Sequence, residues 1–278
     1  MNIREVKLIL NQLNLNPNKQ LGQNFLIDKN IVNKIISISE IFKNDVILEI
    51  GSGLGALTKD LAKLAKKVYA VEIDYRLCTY LEEKFSIIDN IEIIQGDVLE
   101  IEIPSYNKVI SNIPYKITGP ILEKVFYKEK PPLGVLTIET SIANRIFFTG
   151  NYKNFSRITV GVNAFMNPIL KSSISRKSFY PNPKIALSLI KLIPRDYIDP
   201  FIMNTNSMDF FLKFIAGIMP YKNKNIVNAI DLFFKTNKIK KYSKERILTI
   251  LNKSNYENKK LFSFKINDFI EISKLFYS

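Results

Sequence analysis

Short runs rich in β-branched residues alternate with longer amphipathic stretches through the first half of the chain, and this alternation restricts the fold more than any other feature. Val46-Ile-Leu-Glu-Ile50, Val68-Tyr-Ala-Val71, Ile91-Glu-Ile-Ile94, Lys108-Val-Ile-Ser111 and Gly134-Val-Leu-Thr-Ile138 read as strands. Between the first two, residues 56–65 carry Leu and Ala at helical spacing. Strands that alternate with helices build a doubly wound, mostly parallel α/β sheet, because parallel neighbours need a crossover that packs back onto the sheet. Two later runs, residues 158–165 and 186–192, have little helical pattern between them and are expected as an antiparallel hairpin closing the sheet. The pattern breaks at Ile193-Pro-Arg-Asp-Tyr-Ile-Asp-Pro200, and Phe210, Phe211, Phe214, Ile215 and Ile218 then fall three and four apart. The spacing predicts an α/β domain over residues 1–198 and a small all-α domain over 199–278, with a helix over 6–13 leading into a polar arm.

The 278 residues, 46% of them hydrophobic, can bury the core of such a two-domain protein. No run of eighteen apolar residues occurs, and the opening Met1-Asn2-Ile3-Arg4-Glu5 lacks the pattern of a signal peptide, so a cytoplasmic protein without a membrane span is expected. Histidine is absent and Cys78 is the single cysteine. That excludes disulfides within the chain, zinc fingers, and Ser-His or Cys-His nucleophiles, and no metal site is expected. Cys78 reads as a small buried apolar residue. Forty Lys and Arg against twenty-six Asp and Glu give a net charge of +14, which favours a polyanionic partner, although Ile and Asn are also abundant and part of the lysine load accompanies that composition.

Glu49-Ile-Gly-Ser-Gly-Leu-Gly55 follows the first strand directly, and glycines there permit a tight turn and close approach of backbone to a ligand. Alone, the pattern fits an unliganded turn as well. Twenty-one residues after Gly51, Glu72 ends the second strand, where its carboxylate can accept both ribose hydroxyls of an adenosine-containing cofactor. The third strand ends in Gln95-Gly-Asp97-Val98, so that Asp97 can accept from an adenine amine. These positions lie at the carboxyl ends of successive strands, the edge where doubly wound folds bind ligands. A nicotinamide dinucleotide and S-adenosylmethionine both satisfy them, and the fourth strand separates the two.

That strand ends in Ser111-Asn112-Ile-Pro-Tyr115. An exocyclic adenine amine is a poor nucleophile because its lone pair is delocalised, so methyl transfer to it requires positioning. Asn112 can accept a hydrogen bond through its side-chain oxygen, the Ile113 carbonyl fixed by Pro114 can accept a second, and Tyr115 can stack on the base. Methylation itself acidifies the nitrogen, so no conventional base is needed, in keeping with a chain that lacks histidine.

Gln23-Asn-Phe-Leu26, the glycine loop, Glu72-Ile-Asp74, Gly96-Asp97, Asn112-Ile-Pro-Tyr115 and Phe179-Tyr-Pro-Asn-Pro-Lys184 together resemble the ribosomal RNA adenine N6,N6-dimethyltransferase family, in order and with its spacing, over residues 19–193. The resemblance implies a Rossmann-like class I methyltransferase fold and S-adenosylmethionine as cofactor. It further implies that Asn24 and Leu26 close over the methionine end, that Gly51 and Gly53 form the loop, that Glu72 holds the ribose and Asp97 the adenine, and that Asn112 serves both cofactor and target. Phe179 would stack on the target adenine opposite Tyr115, and Lys184 would meet phosphate.

Two branches of that family are relevant, one acting on two adjacent adenines of a small-subunit hairpin loop and one conferring macrolide resistance through large-subunit RNA. Residues 19–28 and Tyr221-Lys-Asn-Lys-Asn-Ile-Val-Asn-Ala-Ile230 read like the first; Asn112-Ile-Pro-Tyr115 and residues 72–78 lean toward the second. The first is favoured, with small-subunit rRNA in a pre-ribosomal particle as partner and a monomeric enzyme. Ser141 stands where the family usually has glutamate, with Arg145 and Arg157 fitting nearby. A binding factor that keeps the fold without catalysis is the alternative of another class.

Overall fold

The computed structural model describes residues 1–18, 21–150, 152–238 and 241–277. In chain order the main elements are α1 (Ile3–Gln12), β1 (Phe25–Leu26), α2 (Lys29–Ile38), β2 (Val46–Ile50), α3 (Thr58–Ala62), β3 (Lys67–Glu72), α4 (Tyr75–Phe85), β4 (Ile91–Gln95) and β5 (Lys108–Asn112). There follow α5 (Thr118–Phe126), β6 (Leu133–Glu139), α6 (Thr140–Ile146), α7 (Arg157–Phe165), β7 (Met166–Ile174), β8 (Phe179–Tyr180) and β9 (Leu187–Pro194). The last four are α8 (Thr205–Ile218), α9 (Ile226–Thr236), α10 (Lys244–Lys253) and α11 (Ile266–Phe276).

Seven strands form one sheet in the order β4-β3-β2-β5-β6-β9-β7. The pairs β3/β4, β2/β3, β2/β5 and β5/β6 are parallel, and β9 runs antiparallel to β6 from Leu187 opposite Glu139 to Leu192 opposite Gly134. The central strands are mostly apolar because both faces are covered: Ile47, Leu48, Val109, Ile110, Val135 and Leu136 are all buried. Lys108 brings a buried charge into β5. Its ammonium is neutralised by Asp45 at 2.9 Å and donates to the Ser39 carbonyl at 3.1 Å, so the buried charge is paired and hydrogen-bonded. Strand order reverses between β2 and β5, which opens a crevice at the carboxyl ends of the parallel strands.

The expected closing hairpin differs in one arm. Residues 187–194 form β9 as read, but residues 158–165 lie in α7, and the strand flanking β9 is β7. The cause is burial: Thr159, Val160, Gly161, Val162, Ala164 and Phe165 are all enclosed, so α7 has almost no polar face to reveal its helical period, and its β-branched residues imitate a strand. Its start is fixed by the Ser156 N–H donating to Thr159 Oγ1 at 3.0 Å.

Two compact units are present. One comprises residues 1–126, 131–143 and 167–194; the other comprises 127–130, 144–166 and 195–278. Division at residue 198 would assign α7 to the first unit, whereas its contacts place it in the second. There Tyr127 stacks on Phe165 with centroids 5.1 Å apart, and Phe155 packs near Phe269 at 5.7 Å. The aromatic core of this second unit continues through Phe214, Phe233, Phe234 and Phe276. The Lys222 ammonium, in the basic segment read from sequence, donates to the carbonyls of Lys153 and Phe155 at 3.0 and 2.8 Å.

Gly161 faces Tyr127 so closely that a Cβ would lie 2.5 Å from the hydroxyl oxygen and 2.8 Å from Cζ. Ala normally gains about 1 kcal/mol over Gly within a helix, but overpacking costs about 1–3 kcal/mol. Gly161→Ala is therefore expected to lower stability by about 1 kcal/mol despite its better helix propensity. Urea denaturation checks the sign, and an unchanged or raised midpoint would show that the ring yields freely.

Candidate active site

The glycine loop is set by backbone geometry. Gly51 and Gly53 have φ of 71° and 57°, in the left-handed region that favours glycine. A Cβ at Gly53 would come within 3.1 Å of Phe25 Cδ1. The loop is tied to the neighbouring strand by the Gly51 N–H donating to the Val71 carbonyl at 2.8 Å and by the Gly53 N–H donating to Glu72 Oε2 at 2.8 Å. The second carboxylate oxygen, Oε1, accepts from the N–H groups of Ile73 and Asp74 at 2.9 and 3.1 Å.

Glu72 is thus a structural clamp at the wall of the crevice. Only 5% exposed, it is pushed above the usual carboxyl range by burial, an effect that the three backbone N–H groups oppose. A carboxylate offers about four acceptor positions, and three are taken, which leaves about one for a ribose hydroxyl. The sequence expectation that it accepts both ribose hydroxyls is narrowed accordingly. Cys78 lies behind it, buried, its thiol donating to the Glu72 carbonyl at 3.4 Å and pushed up to about 12 by burial.

Glu49, at 2% exposure, accepts from Thr58 Oγ1 at 2.6 Å; burial pushes its carboxyl up to about 8, and the nearby Glu72 charge acts in the same direction. Asp97 lines the same crevice, with Oδ1 accepting from the Leu99 N–H at 2.9 Å. This crevice is a cavity of about 190 Å³ whose wall includes Gly22, Asn24, Gly51, Glu72, Asp97 and Asn112, whereas Glu49 borders a smaller adjoining cavity.

Asn112 ends β5. Its amide nitrogen donates to the Asn24 carbonyl at 3.2 Å, which fixes the side chain with its oxygen as the remaining acceptor. Among the described residues, the buried side-chain polar atoms without a hydrogen bond are Asn112 Oδ1, Tyr115 Oη and Thr137 Oγ1. All three gather where β5 and β6 end, since Asn112 stands opposite Thr137 in the ladder. Tyr115 and Asn112 influence each other electrostatically without a hydrogen bond of regular geometry, and burial drives the Tyr115 phenol above its ordinary value. Buried polar atoms are rarely left unpaired, and of these three only Asn112 belongs to a residue that lines the crevice.

The arm before β1 covers this crevice by means no local pattern announces. β1 pairs antiparallel with β8, Phe25 opposite Tyr180 and Leu26 opposite Phe179, and the Ser178 hydroxyl donates to Asp28 at 2.8 Å. Gln23 Nε2 donates to Asp74 at 3.3 Å. Lys19 and Gln20 of this motif lie outside the described residues. Leu26 borders a smaller adjoining cavity with Asn24, Gly53 and Asn112, while Phe25, missed in the sequence reading, lines both cavities. Lys116 and Ile117 were missed as well; no motif distinguishes them, and only the turn after Tyr115 brings them to the crevice.

Phe179 departs from expectation. Pairing with β1 encloses its ring completely, at 0% exposure, in one apolar cluster with Leu26 and Tyr115, so it presents no open stacking face opposite Tyr115. Lys184 is exposed, and Ser141 donates to Glu139 at 2.6 Å on the surface. Arg145 and Arg157 are exposed in the second unit.

A family model for ribosomal RNA adenine dimethylase matches residues 14–271. The chain belongs to that family. It is 33% identical over 265 residues to a probable ribosomal RNA small subunit methyltransferase A of Pyrococcus furiosus, covering 95% of this chain and 94% of the relative. A protein of the same description from Methanosarcina acetivorans is 37% identical over 226 residues, 81% of each chain. The crystal structure of a dimethyladenosine transferase from Plasmodium falciparum superposes with a TM-score of 0.76 at 27% identity, over 89% of this chain and 95% of that one. The enzyme is an S-adenosylmethionine-dependent rRNA adenine dimethyltransferase with the Rossmann-like fold of its class. The site fits that cofactor: a cradle that a side chain at Gly53 would fill, a remaining acceptor on Glu72, and an orphaned acceptor on Asn112.

The protonated Glu49 carboxyl gives a pH signature. Its folded-state pKa of about 8 lies above the unfolded value, so the folded state holds a proton that the unfolded chain releases. This contribution is complete at acid pH and is lost as pH rises from about 5 through about 8. Glu49→Gln keeps the neutral form and should lose less stability than the parent between those limits in urea titrations; parallel losses would place the Glu49 proton elsewhere.

Proposed function

We propose that this enzyme dimethylates N6 of two adjacent adenosines in a hairpin loop near the 3′ end of small-subunit rRNA, acting as a cytoplasmic monomer on a pre-ribosomal particle. The small-subunit assignment is supported by the names of relatives that match nearly the whole chain, together with the motif beginning at Lys19. Among the described residues no helix is long and apolar enough to cross a membrane.

The observation that carries the mechanism is the buried, unpartnered Asn112 Oδ1 at the end of β5. Bound S-adenosylmethionine supplies an electrophilic methyl group. Asn112 Oδ1 accepts one N6 hydrogen of the target base, and the Ile113 carbonyl, held by Pro114, accepts the other, which turns the nitrogen lone pair toward the methyl. Tyr115, buried in the same apolar cluster as Phe179, braces the turn after β5 that carries these acceptors. Phe179 reaches a base only when the β1–β8 ladder around it opens. Gly51 and Gly53 seat the cofactor, Glu72 holds its ribose, Asp97 its adenine, and Asn24 and Leu26 close over the methionine end. The proton released from N6 passes to water, since alkylation lowers its pKa.

Labelled methyl from S-adenosylmethionine is expected to enter unmodified small subunits as dimethyladenosine. Label confined to large-subunit RNA would reject the branch, and none on any RNA would reject the activity. Asn112→Ala should reduce transfer by about 100-fold or more, the scale for removing one group matched to the transition state, with RNA binding retained. Near-parental turnover by this variant would remove Asn112 from the mechanism.

A further inference from the structure

The small cavity that Asn112 shares with Leu26 and Ala56 has a neighbour on the far side of those two residues. This neighbouring cavity, about 270 Å³, is lined by Leu26 and Ala56 and by Lys29, Lys59, Asp60, Lys63 and Lys84. Four ammonium groups and one carboxylate leave three net positive charges around it. They arrive from separate elements: Lys29 opens α2, Lys59 and Asp60 lie in α3, Lys63 follows it, and Lys84 is in the last turn of α4.

Asp60 acts as the organiser. Its two carboxylate oxygens take Lys29 and Lys63, the latter at 2.7 Å, from opposite sides. The Lys84 ammonium donates to the Leu54 carbonyl at 2.7 Å, and desolvation together with the Lys59 charge holds it below its ordinary value. Lys59 and Lys84 therefore repel each other across the cavity, and the Asp60 carboxylate is taken up by Lys29 and Lys63. An anion placed there relieves that repulsion. A polyanion gains more than a single ion, because each phosphate it seats also releases condensed counterions.

We propose that Lys29, Lys59, Lys63 and Lys84 form a docking cavity for the RNA phosphate backbone, holding the strand that flanks the target adenosine. The proposal rests on the placement of the target base at Asn112, because the lysine cavity shares the Leu26 and Ala56 wall with the space bordering Asn112. A base held at Asn112 leaves its own sugar–phosphate outside, and this is the adjoining basic surface.

The test uses the full chain, a small-subunit rRNA hairpin fragment, and three double variants. Lys59→Ala with Lys63→Ala should raise the RNA Kd and the RNA KM by about 10-fold and flatten log Kd against log salt by about 1.4, near 0.7 for each phosphate of a single strand that is no longer neutralised. Its kcat and its affinity for S-adenosylmethionine should not change. Lys59→Arg with Lys63→Arg should restore the parental slope. Lys43→Ala with Lys67→Ala removes the same charge near the amino ends of β2 and β3 and should have little effect. An unchanged slope and KM in the first variant, or an equal loss in the third, overturns the proposal. Parental enzyme that binds RNA through these lysines yet transfers no methyl would instead reject the proposed function and leave the docking cavity standing.

Discussion

Everything at the carboxyl edge of the sheet depends on one carboxylate that faces backbone instead of solvent. Glu72 closes β3, and its oxygens accept the N–H groups of Gly53, Ile73 and Asp74, which ties the loop after β2 to the turn that starts α4. The left-handed φ angles at Gly51 and Gly53 bring the Gly53 N–H within reach, and a Cβ at Gly53 would press on the Phe25 ring at 3.1 Å. Sheet order, glycine loop and N-terminal arm are consequently one mechanical assembly. A charge-assisted bond of this kind is stronger than a neutral one, and this carboxyl group accepts three such donors at the wall of the crevice.

The electrostatics of that assembly follow from packing two carboxyls into an apolar setting. Glu49 and Glu72 each raise the cost of charge on the other. Glu72 is surrounded by three N–H donors, whereas Glu49 has the single Thr58 hydroxyl, so the proton belongs on Glu49. A charge is thus better compensated at Glu72, with donors on both oxygens, than at Glu49, with one. The same avoidance of unpaired charge appears at the base of the sheet, where Lys108 and Asp45 are buried as a pair.

Much of this was legible because parallel strands buried on both faces write themselves as continuous apolar runs. The strands at 46–50, 91–95 and 108–112 fall where the runs lie, and Gly51, Glu72, Asp97 and Asn112 stand at the strand ends where a doubly wound sheet binds ligands. What escaped was the structure with no period to read. α7 is enclosed nearly all round and passes for a strand, and β7, with Pro168 inside it, alternates only weakly. β1 and β8 are two residues each, too short for any pattern. Their pairing joins segments some 150 residues apart, and only tertiary packing specifies it.

That short ladder has a consequence for the order of events at the site. Leu26 borders the cavity beside Asn112, Phe25 lines the cofactor crevice, and their partners in the ladder are Phe179 and Tyr180. Phe179 is shut in by the same pairing that positions Leu26, and the Ser178–Asp28 and Gln23–Asp74 hydrogen bonds fasten the arm on either side. The arm and the strand carrying Phe179 cannot shift independently without breaking the β1–β8 ladder and the Ser178–Asp28 bond. Any movement that exposes Phe179 therefore also displaces Leu26, its partner in the ladder, which borders both the cavity beside Asn112 and the lysine-lined cavity beyond.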